Sequence, residues 1–187
     1  MKIHVVQKDV GNLNLVPFIE KAQAAGADLA CFPELAWTGV LYQPRVVDSL
    51  ELVLDKLKPY DIPVMVGLPF ITELGAFNSY LFIQKGDYKL YHKRNLFPEF
   101  GEPSLYQPGD SPGVWETSLG KFGVAICYDI RFGQVFEDLA RQSVQRIFIP
   151  ACFPRVRVDQ WREMIINRAS EMHVPIVGIN AVGSDGT

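Results

Sequence analysis

The chain has 187 residues, 48% of them apolar and 21% charged, with a formal net charge of −3; this is the composition of a globular protein long enough to bury a core. The charge leaves no basic footprint for nucleic acid, and no apolar run approaches the ~20 residues that a membrane span needs. Three cysteines and three histidines lie far apart, with no CxxC pair and no metal-ligand spacing, so the expectation is a reducing, cytoplasmic compartment with no disulfide scaffold, metal or other cofactor.

In chain order, Lys2–Gln7 reads as a strand entered directly from Met1, which leaves no room for a signal peptide. Leu13–Ala25 reads as a helix with Leu15, Phe18, Ile19 and Ala22 on one face and Gly26 as its stop. Leu29–Phe32 is a strand closed by Pro33, and Val46–Leu57 a short helix broken by Pro59. Val64–Leu68 and Ser79–Gln84 follow as strands, and Lys85-Gly86-Asp87 turns the chain into a strand at Tyr88–Tyr91. From Arg94 to Pro112, four prolines and two glycines predict a long irregular loop of the kind that carries function. Beyond it come a strand at Phe122–Ile126, a helix at Gly133–Arg141, a strand at Arg146–Pro150, a helix at Val158–Met172 and a strand at Pro175–Ala181. The last helix places Trp161, Ile165, Ala169 and Met172 on one face, which reads as core. The alternation predicts an α/β layered fold in a single domain spanning residues 1–187.

Three strand ends carry chemistry. The apolar strand Phe122–Ile126 runs straight into Cys127 and then towards a helix, a turn that can hold a nucleophile at the top of a sheet. Burial as a small apolar side chain is the common alternative for a cysteine. Phe32-Pro33-Glu34 delivers a carboxylate where strand ends of α/β sheets place site residues, although a solvated glutamate fits the same sequence. Tyr91-His92-Lys93-Arg94 ends another strand and reads either as a site cation or as a basic surface patch. Together they supply a thiol, a base for its proton and a positive charge for an oxyanion.

These segments, Phe32-Pro33-Glu34, His92-Lys93-Arg94 and Ile126-Cys127-Tyr128-Asp129-Ile130-Arg131-Phe132, resemble in order the three signature segments of the nitrilase, or carbon–nitrogen hydrolase, superfamily. The likeness continues through Leu105-Tyr106-Gln107-Pro108-Gly109-Asp110 and Val177–Gly183. It implies a four-layer αββα sandwich, usually paired into homodimers, with several dozen further residues that add strands after the point where this chain stops. A member with this sequence is therefore expected to lack the usual C-terminal portion. The segment between Glu34 and Val64 is also shorter than usual.

The resemblance implies roles as well. Cys127 would attack an amide carbon, with Glu34 as general base. Lys93 and the Tyr128 backbone N–H would hold the oxyanion, and Glu102, rather than Glu99, would be the supporting glutamate. Hydrolysis of the resulting thioester would release ammonia and a carboxylate from a small-molecule amide.

The stretch Pro150–Trp161 is similar to the ω-amidase branch, which cleaves short dicarboxylic monoamides such as 2-oxoglutaramate. It departs from that branch at Phe153, where tryptophan is usual, and at Gln160, where histidine often stands; Asn95-Leu96 replaces a usual His-Leu. An anionic substrate tail calls for a guanidinium fork, and Arg131, Arg155 and Arg157 each follow a strand end; Phe153 joins them as a substrate-binding candidate. The rival readings are a carbamoyl-amine hydrolase, a true nitrilase and a non-catalytic interaction relative. A cysteine protease would need His92 or His173 as base, and no protease-like segment surrounds Cys127.

Overall fold

The computed structural model describes residues 1–39 and 49–183. Five strands form one sheet in the order β1 (Ile3–Val5), β2 (Leu29–Cys31), β3 (Val64–Thr72), β4 (Gly75–Gln84) and β5 (Asp87–His92). Four form a second in the order β6 (Gly113–Thr117), β7 (Gly120–Val124), β8 (Arg146–Ala151) and β9 (Ile176–Asn180). Each sheet mixes parallel pairs with antiparallel hairpins.

The period of two along each strand builds the layers. In β2, Leu29 and Cys31 join Met65, Tyr80 and Phe82 against Phe122, Val124 and Phe148 of the second sheet. Ala30 and Phe32 face the other way, towards α1 (Val16–Ala24) and α2 (Leu50–Leu57). On β8, Phe148 points between the sheets, whereas Ile147 and Ile149 pack beneath α4 (Gly133–Arg141) and α5 (Val158–Met172). The result is the expected αββα order, with one apolar cluster between the sheets and one under each helical layer.

The departures from expectation are local. β3 runs past Leu68 through Pro69, which is tolerated because β2 reaches β3 only as far as Met65. Beyond that residue no strand among the described residues lies on the open side of β3 to miss a proline N–H. β4 correspondingly begins at Gly75, and β6 was not foreseen. The second helix starts at Leu50, with the Ser49 hydroxyl accepting from the Leu52 N–H at 3.3 Å; residues 46–48 of the expected helix lie outside the described residues. The proline-rich loop holds a 3₁₀ turn at Pro98–Phe100 and the short helix α3 (Glu102–Leu105). On α5 only Trp161 of the expected face is buried, while Ile165 and Met172 pack half-exposed against the same cluster. Among the described residues no helix is long and apolar enough to cross a membrane.

Candidate active site

Glu34 leaves β2 in a tight turn against β3. Trp37 N–H donates to the Gly67 carbonyl at 3.0 Å, and a Cβ at Gly67 would come within 2.8 Å of the Pro33 carbonyl oxygen. Only glycine admits that approach. The turn buries the Glu34 side chain to 4% exposure. Its Oε2 accepts from the Cys152 backbone N–H at 3.0 Å.

Lys93 follows β5 and is buried to 2% exposure. Its ammonium lies 2.8 Å from Glu34 Oε1 and 2.8 Å from Glu102 Oε2. Burial opposes the charge, but Glu34, Cys127 and Glu102 outweigh it and hold the ammonium above its ordinary range. Lys93 is therefore a permanent cation. Glu102 opens α3, and its Oε2 also accepts from the Phe97 N–H at 2.6 Å, tying the proline-rich loop to the cation. The Gly109 N–H donates to the Lys93 carbonyl at 2.8 Å, so the later Pro-Gly segment braces the same residue.

Cys127 begins a 3₁₀ turn at Cys127–Arg131, directly after Ile126 and ahead of the expected helix at Gly133–Arg141. Its φ is +46°, the strained left-handed conformation that functional turns retain. Asp129, fully buried, pins this turn. One oxygen accepts from Ile126 N–H at 2.9 Å and Tyr91 OH at 2.8 Å; the other accepts from the Asn95 backbone at 2.8 Å and its side chain at 2.9 Å. The half-buried Cys127 thiol faces Glu34, Lys93 and the Cys152 N–H. Burial, and then the charge of Glu34, push the thiol well above its ordinary value against the pull of Lys93. Its proton is held on sulfur, beside a carboxylate that can take it.

All four groups open on one cavity of about 230 Å³. Cys152 lies beside them, its Sγ donating to the Glu34 carbonyl at 3.2 Å. Phe97, Phe100, Leu105, Tyr106 and Phe153 make the walls mostly apolar. The Tyr106 hydroxyl is pushed up to about 12, first by burial and then by the charges of Glu102 and Glu34.

The structure thus brings Glu34, Lys93, Glu102, Cys127 and Tyr128 together, with Phe153, Arg131 and Arg157 lining the same cavity. Arg131 stacks over the rings of Tyr128 at 5.9 Å and Phe153 at 6.0 Å. Arg155 is not brought in: it is exposed on the short 3₁₀ turn Arg155–Arg157 and lines no part of the cavity. The turn puts Val156 and Arg157 on the cavity wall and leaves Arg155 to solvent. The sequence reading missed Asn78, which contacts both glutamates. It also missed the Cys152 N–H, a backbone group without any residue-type signal. No cluster of three or more metal-binding side chains occurs among the described residues.

Comparison with known proteins bears on the family and the fold. A family model described as carbon-nitrogen hydrolase matches residues 5–187. A deaminated glutathione amidase of Yersinia enterocolitica is 30% identical over 149 residues, covering 72% of this chain and 52%, about half, of that relative's length. A 2-oxoglutaramate amidase of Bacillus subtilis (strain 168) is 27% identical over 180 residues, covering 90% of this chain and 68% of the relative. Among solved structures, Nit3 of Saccharomyces cerevisiae, a member of branch 10 of the nitrilase superfamily, superposes with a TM-score of 0.85 at 20% identity, covering 100% of this chain and 78% of that one. This last likeness is one of fold.

Proposed function

The chain belongs to the carbon–nitrogen hydrolase family, and from that premise we propose that it hydrolyses a linear amide through a thioester on Cys127. The convergence of carboxylate, ammonium and thiol on one cavity carries this reading. Glu34 takes the thiol proton as the sulfur attacks the amide carbon; a resting neutral thiol makes the two events concerted. The carbonyl oxygen becomes an oxyanion. Lys93 has one N–H beyond those given to Glu34 and Glu102, and with the Tyr128 backbone N–H it is the donor for that charge. Collapse breaks the C–N bond, and the proton held by Glu34 passes to nitrogen, which leaves as ammonia. Water then loses a proton to Glu34 and attacks the thioester carbon. Collapse breaks the C–S bond, the proton on Glu34 returns to sulfur, and the product leaves as the carboxylic acid, which ionises in water.

For the substrate we propose a short dicarboxylic monoamide such as 2-oxoglutaramate. The relative named 2-oxoglutaramate amidase supports this reading, as do Arg131 and Arg157 on the cavity wall, suited to a second carboxylate. The test is ammonia release from 2-oxoglutaramate and succinamate by the parent chain and by Cys127→Ala, with a ureido acid and a nitrile as controls. Release by the parent alone supports the thiol mechanism. Preference for the ureido acid, with carbon dioxide released alongside ammonia, or for the nitrile moves the chain to those branches. A folded parent that turns over none of them overturns the reading. Pairing into dimers belongs to the same proposal and is read by light scattering.

A further inference from the structure

Asn78 lies one residue before the Ser79–His92 pair in the antiparallel ladder of β4 and β5. It therefore sits beside Lys93, whose backbone N–H donates to the Asn78 carbonyl at 2.8 Å. Its side chain is fully buried and donates to Glu34 Oε1 and to Glu102 Oε1, each at 2.8 Å. Ionised carboxylates only accept, so the amide orientation is forced: Oδ1 turned towards them would set oxygen against oxygen. Oδ1 is left buried with no hydrogen-bond partner among the described residues. A side chain kept for packing alone has no reason to strand an acceptor, because leucine fills a similar space without that cost.

We infer that Asn78 is a positioning residue, holding Glu34 and Glu102 on either side of Lys93 so that the lysine keeps an N–H for the oxyanion. The inference rests on the amide-hydrolase reading above. Two like-charged carboxylates both contact one ammonium. With Lys93 as their only shared donor, they would repel each other and draw the ammonium fully between them. Asn78 gives each a neutral hydrogen bond, on Glu34 Oε1 and Glu102 Oε1, which also accept from the lysine at 2.8 and 3.0 Å. Glu34 is then free to point its other oxygen at the Cys152 N–H.

The experiment compares Asn78→Asp, Asn78→Ser and Asn78→Leu with the parent by two readouts. One is kcat and KM on the amide the parent cleaves. The other needs no substrate: the rate of iodoacetamide alkylation at Cys127, followed by peptide mass spectrometry from neutral to alkaline pH. The groups facing the thiol, Glu34, Lys93 and Cys152, are unchanged in every variant. Asn78→Leu should lower kcat by about 100-fold while KM moves less than about threefold, with Asn78→Ser in between. Asn78→Asp should move the alkylation midpoint upwards by about one pH unit, because it adds a negative charge beside the base. Parent-like kcat and midpoint in folded Asn78→Asp and Asn78→Ser overturn the inference, whether or not Asn78→Leu folds. A shifted midpoint with no amide turnover, even by the parent, would sink the hydrolase reading and leave the hold of Asn78 on the site standing.

Discussion

Asp129 and Glu34 are both buried carboxylates that touch the turn of Cys127 or its sulfur, yet they are satisfied in different ways. Asp129 accepts four hydrogen bonds from neutral donors: two backbone N–H groups, an amide and a phenol. Burial raises its carboxyl above the ordinary value, and those bonds together with the charge of Lys93 pull it back only in part. Glu34 accepts instead from an ammonium, an amide and a backbone N–H, and its charge acts on the Cys127 thiol beside it. The thiol can give up its proton during a reaction; none of the neutral donors around Asp129 does so readily. The comparison separates a carboxylate that fixes backbone from one that exchanges a proton.

The largest expected effect is the loss of that exchange. Cys127→Ala should lower amide turnover by at least about 10³-fold, and Glu34→Gln by about 10²–10⁴-fold. Neither should cost much stability, because the turn stays pinned by Asp129; urea unfolding beside the kinetic assay checks this. Glu34→Gln retaining parent activity would erase the distinction between the two carboxylates.

Asp129 should behave in the opposite way. Asp129→Ala strands the Ile126 N–H, the Tyr91 hydroxyl and the Asn95 donors, so the expected loss is about 3 kcal/mol of stability. Activity should fall along with it, since the strained φ of Cys127 relies on this anchor. A variant that unfolds at the parent's urea midpoint yet loses activity would recast Asp129 as a participant in the chemistry.

Proton exchange also has a signature in stability. Burial pushes the thiols of Cys31 and Cys127 up in the folded chain, whereas an unfolded cysteine ionises near about 8.5. Below that pH both states hold the proton and the stabilisation is complete. Above it the unfolded state releases protons that the folded state keeps, so stability falls by up to about 1.4 kcal/mol per pH unit for each thiol until the folded thiol ionises. Cys31→Ala should remove one thiol's share of the slope just above pH 9, as read by urea unfolding. An unchanged slope would mean that Cys31 is not held neutral by its surroundings.

The strand ends were legible because a period of two, a proline and a glycine mark them locally. The three site segments could be read because each joins such an end to a chemically distinct residue. Asn78 escaped notice because β4 was expected to begin at Ser79, which left Asn78 in a nominal loop. Its importance comes from a cross-strand neighbour, Lys93, that only the register supplies. β6 was missed because Gly113-Val114-Trp115-Glu116-Thr117 is short and follows Pro112; it forms by pairing with β7, a tertiary effect that outweighs weak local propensity. The arginines near the site could be counted in the sequence, but which of them faces the cavity depends on a 3₁₀ turn that local pattern does not reveal.

The contrast between filled and spare bonding capacity carries over to those arginines, with a smaller expected effect. Arg94 is held by Asp138 at 2.7 Å, and Arg168 by the Ile130 carbonyl and Glu171. Among the described residues Arg131 has only a 3.3 Å bond to Gln160 and two aromatic faces. No carboxylate pairs with it among the described residues, so its fork stays available at the cavity for an anion. On a dicarboxylic monoamide, Arg131→Ala should raise KM by about tenfold and change kcat little, the pattern of a lost binding contact felt equally in ground and transition states. Arg155→Ala should leave both constants within about twofold of the parent, since a solvated arginine outside the cavity has nothing to lose. If both variants raise KM alike, the arginines act through long-range charge, and raising the salt concentration should abolish the effect. If neither does, the carboxylate end of the substrate is held elsewhere, with Arg157 as the remaining guanidinium on the wall.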